Sequence, residues 1–210
     1  MINYMQEGVQ SMVDKDIEKC IQLFDDEKDD EALDCLNKLL KSNPNNKEAL
    51  YLKGSIYYFL NNIDKAIECY NKVINLDSEC YLAINDKGAI LLDISEFDQA
   101  LKCFEKVIKI NPDFAFGWYN KGLSLYYMDK DSEALKYFKK SLELNYEDSN
   151  AYYYIGMILR ELNDKEGALE ALNNAIKIDN EYIEAWYQKG NVLREIKKRK
   201  RIYRCIYYFC

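Results

Sequence analysis

The chain carries an internal repeat of 34 residues, and this period constrains its fold more than any other feature. Five glycines recur at that spacing, namely Gly54, Gly88, Gly122, Gly156 and Gly190. A second series keeps the same spacing with alanine, namely Ala32, Ala66, Ala100, Ala134 and Ala168. A fixed period of this length indicates a protein built by stacking copies of one small structural unit.

Repeats that begin at Val13, Lys47, Tyr81, Ala115, Ser149 and Ile183 align the other apolar residues as well. We count positions within a repeat from these first residues. Position 4 includes Trp118 and Trp186, and position 11 holds Leu or Tyr in every repeat. Position 24 holds Leu36, Tyr70, Phe104, Phe138 and Leu172, and both prolines fall at position 32. The sequence therefore contains five complete repeats and a sixth that departs from the pattern towards its end.

Each repeat contains two segments with helical periodicity, separated by a short polar turn. In the second repeat Leu50, Gly54 and Tyr57 share one helical face, and Ala66 and Tyr70 lie on the facing side of the next segment. Small residues indicate where the two helices touch, because a larger side chain would push the backbones apart. The pattern predicts helices over most of 14–195, turns near 27–30, 61–64, 95–98, 129–132 and 163–166, and helix N-caps at Asp30, Asp64, Asp98 and Ser132.

This arrangement resembles the tetratricopeptide repeat, whose pattern has a Trp, a Leu-Gly pair, a Tyr, an Ala, a Phe and a Pro at these intervals. The resemblance covers roughly residues 13–192, with Cys20 at the glycine position of the first repeat and Lys before the glycine in four others. It implies an all-α fold, an α-solenoid in which antiparallel helix pairs form a right-handed superhelix. We expect residues 1–12 to be an N-terminal extension, 13–196 the solenoid, and 197–210 a basic, degenerate last helix or tail.

The resemblance also implies a concave ligand groove lined by the exposed sides of the first helices. Residues at these positions are rich in tyrosine and acidic towards the N-terminus: Tyr51, Ser55, Tyr58, Asn85, Asp86, Asp93, Tyr119, Asn120, Tyr126, Tyr153, Tyr154, Met157, Arg160, Tyr187, Asn191 and Arg194. Tyrosine presents a flat apolar ring and a hydroxyl at little entropic cost, which suits protein recognition. The alternative is that these rings pack between adjacent repeats.

Chaperone-docking members of the family hold a C-terminal carboxylate with Lys and Asn on consecutive first helices. The matching positions here hold tyrosine, aspartate and alanine, which argues against such a clamp. We therefore expect a scaffold or adaptor that binds a segment of a partner protein. Basic residues of that partner would face repeats one to three, and its apolar or aromatic residues would face repeats four to six.

Histidine is absent from the chain, which excludes His-dependent nucleophilic catalysis and argues against a classical zinc hydrolase. We predict no enzymatic activity, no cofactor and no metal site. Cys35, Cys69 and Cys103 recur on successive second helices, about 10 Å apart, which is too far for a disulfide or a shared metal. We interpret the seven cysteines as reduced thiols of a cytoplasmic protein without a membrane-spanning segment.

The last 14 residues contain six positive charges and no negative charge, although the whole chain has a formal net charge of −7. Ile202, Cys205, Ile206 and Phe209 keep the register of a second helix, so we expect a decayed second helix with Ile202 overpacked against Gly190. A second possible function is self-assembly as a homo-oligomer through this apolar, basic end. A third, which we do not expect, is association with nucleic acid through the basic tail.

Overall fold

The structure, a computed structural model, describes residues 15–144 and 148–209, and all regular secondary structure within them is helical. The helices are α1 (Lys15–Asp25), α2 (Asp29–Ser42), α3 (Lys47–Phe59), α4 (Ile63–Leu76), α5 (Tyr81–Asp93), α6 (Phe97–Ile110), α7 (Ala115–Tyr127), α8 (Asp131–Glu143), α9 (Ser149–Glu161), α10 (Lys165–Ile178) and α11 (Ile183–Phe209). Odd-numbered helices are the first helices of repeats one to six. The prediction of an all-α solenoid is confirmed.

Each turn from a first to a second helix contains one residue in the left-handed backbone region: Glu27, Asn61, Ser95, Asp129 and Asn163, with φ between 57° and 63°. At Asn61 and Asn62 the backbone N–H groups donate to the carbonyls of Tyr58 and Tyr57 at 2.9 and 2.7 Å. These crossed bonds form a Schellman motif, which satisfies the last carbonyls of the first helix. The turns lie within about one residue of the predicted positions.

The N-cap predictions at Asp30, Asp64, Asp98 and Ser132 are wrong. Each of these residues is the second residue of its helix, and the cap positions are held by Lys28, Asn62, Glu96 and Lys130, which make no side-chain cap hydrogen bond. The reason is that the Schellman turn returns the chain to helical geometry earlier than the capping rule assumes. Carboxylates in the first turn still interact favourably with the helix dipole.

The core follows the repeat positions that the sequence singles out. All five alanines at position 20 are fully buried, as are the five large residues at position 24. A Cβ atom added at Gly122 would lie 3.1 Å from the Phe138 ring, and one at Gly156 would lie 2.8 Å from Leu172 Cγ. Glycine is needed at these positions because the two helices of a repeat approach each other there.

The chain divides into two compact units between Ser95 and Glu96. In the first unit α1 packs on α2 and α3 on α4, and successive repeats join through α2 with α3 and α4 with α5. In the second unit α7 packs on α8 and α9 on α10, while α6 contacts α7, α8 contacts α9 and α10 contacts α11. Each unit thus buries the apolar faces of its helices by stacking neighbours.

The interpretation of all cysteines as reduced thiols is wrong for two of them. Cys20 and Cys35 form a disulfide between α1 and α2, with their Cα atoms 5.6 Å apart. Cys20 replaces the repeat's glycine, and that position faces position 23 of the second helix: a Cβ atom at Gly54 would lie 3.2 Å from the Cβ of Cys69. Cysteine at both positions therefore places the two thiols within bonding distance. Cys69 and Cys80 are free thiols.

The end of the chain also differs from the prediction. Residues 197–200, where the sixth repeat should turn towards a second helix, lie inside α11, which runs without a break from Ile183 to Phe209. The predicted packing of Ile202 against Gly190 lies outside the described side chains. Every helix within the described residues is too short or too polar to cross a lipid bilayer.

Candidate functional site

In the first unit, two tyrosines of α3 each donate a hydrogen bond to an aspartate of α5. The Tyr51 hydroxyl donates to the Asp86 carboxylate, and the Tyr58 hydroxyl donates to the Asp93 carboxylate. Both pairs are 35 residues apart, one more than the repeat length, so each bond joins the first helices of successive repeats. The structure therefore brings four of the predicted groove residues together as hydrogen-bond partners of one another.

Asp86 is the more enclosed of the two carboxylates. It is half-buried, and Asn85 Nδ2 donates to its Oδ1 at 3.2 Å. Burial raises the pKa of Asp86, while the hydrogen bonds from Tyr51 and Asn85 oppose that rise. Burial also raises the pKa of Tyr51 above its usual range, so this hydroxyl stays a neutral donor. Asp93 is exposed, and an approaching ligand would meet its carboxylate before that of Asp86.

Ser55 lies one turn beyond Tyr51 and contacts the core of its own repeat. Its Oγ is 3.0 Å from the hydroxyl of Tyr70, which is 2% exposed. The rings of Tyr51 and Tyr70 meet edge to face with their centroids 5.6 Å apart. Ser55 therefore supports a buried tyrosine as well as lining the surface of α3.

In the second unit, tyrosine rings from repeats four and five form a continuous cluster, here called the tyrosine face: Tyr126, Tyr127, Tyr153, Tyr154 and Tyr182. Ring centroids are 5.7 Å apart for Tyr126 and Tyr127, 5.1 Å for Tyr126 and Tyr154, 5.4 Å for Tyr153 and Tyr154, and 5.2 Å for Tyr153 and Tyr182. The first three contacts are edge to face, the geometry that the quadrupoles of aromatic rings favour. The rings thus hold one another in place.

The outer edge of the tyrosine face is accessible and polar. Tyr127 is 48% exposed, and the other four rings are half-buried. The hydroxyls of Tyr127 and Tyr154 are 3.4 Å apart, and the Tyr182 hydroxyl donates to Asn150 Oδ1 at 2.8 Å. Burial raises the pKa of Tyr154 and Tyr182, so both remain neutral at physiological pH. The surface combines apolar ring faces with hydroxyl groups.

The inner edge of the same surface packs on the core. The ring of Tyr154 stacks on Phe138 with centroids 5.5 Å apart and planes within 5°, and Tyr119 lies tilted against Phe138 at 5.6 Å. Phe138 itself is fully buried. Inter-repeat packing, the alternative weighed for these tyrosines, thus accounts for the inner rings. Tyr127 also stacks on Phe97 of the preceding repeat with ring centroids 5.7 Å apart, but it remains 48% exposed.

Arg160 of α9 lies at the centre of a polar cluster that reaches two other helices. Its Nε and Nη2 donate to Glu195 Oε1 at 3.0 and 2.7 Å, and its Nη1 donates to Gln188 Oε1 at 3.1 Å. Lys165 of α10 pairs with the other Glu195 oxygen at 3.1 Å. The hydrogen bonds from Arg160 and Lys165 lower the pKa of Glu195. This predicted groove residue therefore joins α9, α10 and α11 rather than offering a free positive charge.

The remaining predicted residues are more scattered. Met157 and Asn120 are half-buried on α9 and α7. On α11, Tyr187 is 64% exposed, and Arg194 Nη2 donates to Asn191 Oδ1 at 2.7 Å. Within the described part of the chain, no group of three or more Cys, Asp or Glu side chains is arranged to hold a metal ion.

Sequence reasoning missed two contributors to these surfaces, Phe24 and Tyr182. Phe24 meets Phe59 edge to face at 5.3 Å, again 35 residues along the chain. The pairs Phe24–Phe59, Tyr58–Asp93 and Arg160–Glu195 all join position 12 of one repeat to position 13 of the next. The three pairs therefore share one offset of 35 residues, which is recognisable once the helices are placed side by side.

Solved structures with the same fold are numerous. The crystal structure of MamA has a TM-score of 0.70 at 23% identity, and the alignment covers 79% of this chain and 96% of that one. The structure of Pseudomonas aeruginosa pilF has a TM-score of 0.79 at 18% identity and covers 89% and 85%. YrrB, described as a TPR protein with an unusual peptide-binding site, has a TM-score of 0.68 at 21% identity and covers 90% and 97%. At these identities the likeness shows the fold alone.

Curated protein sequences contain no significant match to this chain. Sequence profiles of the tetratricopeptide repeat match residues 47–80, 81–114 and 115–145, and a further TPR repeat profile matches residues 156–195. These segments make up well over half of the chain, and the first three begin at the repeat starts Lys47, Tyr81 and Ala115. The chain belongs to the tetratricopeptide-repeat family.

Proposed function

We propose that this scaffold binds a segment of a partner protein on the tyrosine face of its second unit. The supporting observation is the continuous cluster of five tyrosine rings, which ends in the 48% exposed ring of Tyr127. Membership of the family makes the chain a protein-interaction scaffold in general terms. The choice of this surface and of its ligand is the finer proposal.

The chemistry of the tyrosine face suits an apolar or aromatic side chain flanked by polar groups. Tyrosine carries a large flat surface on few rotatable bonds, so fixing it in a complex costs little conformational entropy. Edge-to-face contacts already hold Tyr126, Tyr153 and Tyr154 in place, which lowers that cost further. Rings of this kind commonly dominate the binding energy of protein interfaces.

The first unit contributes an acidic surface at Asp93, and we propose that it receives basic residues of the partner. Asp93 is exposed and accepts a hydrogen bond from Tyr58, whereas Asp86 is half-buried and bound to Tyr51 and Asn85. A charge reversal at Asp86 would disturb this internal contact, so its effect on binding would be ambiguous. Asp93→Lys is the cleaner test of the acidic surface.

Selection from a displayed library of random peptides with the full chain tests the proposal. We expect the selected peptides to be enriched in apolar and aromatic residues. Replacement of Tyr127 and Tyr153 together by Ala should weaken these peptides at least about tenfold, or about 1.4 kcal/mol. Asp93→Lys should weaken only those peptides that also carry basic residues.

Tyr137→Ala is the matched control, since Tyr137 is a half-buried ring of the second unit that lies on a second helix, α8, and stacks on Trp118. It should bind the selected peptides as the unmodified chain does. Equal binding by the Tyr127→Ala, Tyr153→Ala variant, or equal loss in the Tyr137→Ala control, would contradict the proposed surface.

A further inference from the structure

Among the first helices of the second unit, as far as their residues are described, α11 is the one whose second-helix-facing side is exposed to solvent. Leu193 is 40% exposed, whereas its counterpart Leu125 in α7 is 3% exposed. Trp186 is 49% exposed although its indole N–H donates to the Asn180 carbonyl at 3.0 Å. Gly190 is exposed, and a Cβ atom there would meet no described atom within 4 Å. This face is apolar and holds the small residue that normally receives a second helix.

The other repeats show what covers such a face and in which register. Position 8 contacts position 24 of the following helix: a Cβ atom at Gly122 would lie 3.1 Å from Phe138, and one at Gly156 would lie 2.8 Å from Leu172. By the same register, a helix that packs on Gly190 would place the apolar side chain of its position 24 against this glycine. In the sixth repeat that position is Ile206.

The chain contains a segment with this second-helix pattern, but the segment cannot fold back on Gly190 while both belong to one continuous helix. Ile202, Cys205, Ile206 and Phe209 keep the second-helix pattern, yet they belong to the same continuous helix as Gly190. At 1.5 Å per residue, Ile206 lies about 24 Å along the helix axis from Gly190. Each copy of the chain thus has one uncovered first-helix face at Gly190 and, further along the same helix, one second-helix sequence.

We propose that two copies of this chain exchange these halves of α11. The two long helices run antiparallel, so that Ile206 of each copy packs on Gly190 of the other, and residues 202–209 cover Trp186 and Leu193. This is a domain swap with two-fold symmetry, in which each copy gives and receives the same element. It completes the sixth repeat of both chains by the contact that the earlier repeats make within one chain.

The positive charges where the two α11 helices cross determine whether added salt strengthens or weakens the dimer. Because Gly190 meets Ile206, the helices cross midway between them, where each copy carries Lys197, Lys198, Arg199, Lys200 and Arg201. These like charges repel across the two-fold axis, and added salt screens the repulsion. The dimer therefore tightens as sodium chloride rises. An interface held by attraction between the basic tail and acidic repeats would weaken instead.

Analytical ultracentrifugation of the full chain, at several protein and sodium chloride concentrations, tests the proposal. We expect a reversible dimer of twice the 24.8 kDa chain mass whose population grows with salt. A non-reducing gel should show the monomer mass, since the association is not a disulfide between copies. A monomer under all these conditions, or a dimer that dissociates with added salt, would overturn the proposal.

Gly190→Leu blocks the receiving face, and Ile206→Asp disables the donating one. Each variant should weaken the dimer at least about tenfold. Gly190→Leu should not lower the thermal stability of the monomer, because leucine favours the helix over glycine, whereas Gly156→Leu, the same change at a covered position, should lower it. If Gly190→Leu destabilises the monomer as much as Gly156→Leu does, residues 202–209 fold back within one chain and the exchange is wrong.

A mixture of the two variants provides the decisive comparison. The Gly190→Leu chain keeps Ile206, and the Ile206→Asp chain keeps Gly190. In a mixed dimer these two residues can pack on each other, which restores one of the two reciprocal contacts. The mixture should associate more tightly than either variant alone. A mixture that associates no better than the separate variants would contradict a reciprocal exchange.

Discussion

Cys20 of α1 is joined to Cys35 of α2 by a disulfide that spans 15 residues of sequence. The bond links the two helices of the first repeat, which also carries Cys20 in place of the glycine found in the others. By the loop-entropy model, closing a loop of this length stabilises the folded state by about 3 kcal/mol. The first repeat therefore has a covalent link at the position where the other repeats rely on close packing.

We predict that a reducing agent lowers the free energy of unfolding of the first unit by about 2–3 kcal/mol. Thermal or urea unfolding, with and without the reductant, measures the difference. The Cys20→Ser, Cys35→Ser variant should match the reduced protein and show no further response to the reductant. A reductant effect that persists in this variant would place its origin elsewhere.

Replacement of helical glycines by alanine should give opposite results at two equivalent positions. Gly190→Ala should stabilise the chain by about 0.8–1 kcal/mol, because alanine favours the helix and the added Cβ atom meets no described atom within 4 Å. Gly156→Ala should fail to stabilise it, since the new Cβ atom would lie 2.8 Å from Leu172 Cγ and 3.3 Å from the Ala168 carbonyl oxygen. Urea unfolding of the two variants measures the contrast, and equal gains would contradict the packing described here.

The left-handed residue of the first turn offers a stabilising substitution. Glu27 has a φ of 60°, a conformation that costs a residue with a Cβ atom about 1–2 kcal/mol and that glycine adopts freely. Glu27→Gly should stabilise the first unit by about 0.5–1 kcal/mol after the greater entropy of glycine in the unfolded chain is included. Asn61→Gly is the control, and it should gain less because asparagine tolerates this conformation. Thermal unfolding compares them.

The carboxyl group of Asp86 should make the first unit less stable as the pH rises. Its pKa in the folded state is raised by burial, so the folded chain holds this proton more tightly than the unfolded chain does. The resulting stabilisation is complete below the ordinary aspartate pKa near 4 and is lost as the pH rises through the folded value. Relative to Asp86→Asn, the unmodified chain should therefore lose stability between acidic and neutral pH, as urea unfolding at several pH values would show.

Glu195 should show the opposite dependence. The hydrogen bonds from Arg160 and Lys165 lower its pKa, so its contribution is present above the ordinary glutamate pKa and is lost as the pH falls through the folded value. Glu195→Gln should thus cost stability at neutral pH and little in strong acid. If the difference in unfolding free energy between the unmodified chain and Glu195→Gln does not change with pH, the cluster around Arg160 contributes packing and no charge interaction.

Much of the fold could be predicted from the sequence because stacked repeats place equivalent residues in equivalent surroundings. The glycine and alanine series identified the contact between paired helices, and the structure buries Ala66, Ala134 and Gly122 there. The repeat start at Lys47 is also the first residue of α3. A repeating sequence pattern of this kind predicts where helices form and which residues lie between neighbouring helices, because both depend on the spacing of residues along the chain.

The contacts between side chains of successive repeats could not be predicted in the same way. Whether Tyr58 faces solvent or the carboxylate of Asp93 depends on how far one helix is rotated and shifted against the next. The offset of 35 residues expresses that shift, and it became visible only once the helices were placed side by side. The assignment of these acidic and aromatic residues to a ligand groove stays a prediction, while their pairing with one another followed from the geometry.

The sequence by itself determined the helix pairs, their boundaries to about one residue, and the residues at which paired helices touch. Only the tertiary structure decided that Cys20 meets Cys35, that Arg160 is bound by Glu195 and Gln188, and that α11 continues through the expected last turn. The physical reason is that hydrophobic periodicity reports which face of a helix is buried. The partner of a particular thiol, carboxylate or guanidinium depends on distances of a few ångströms between segments that are far apart in the chain.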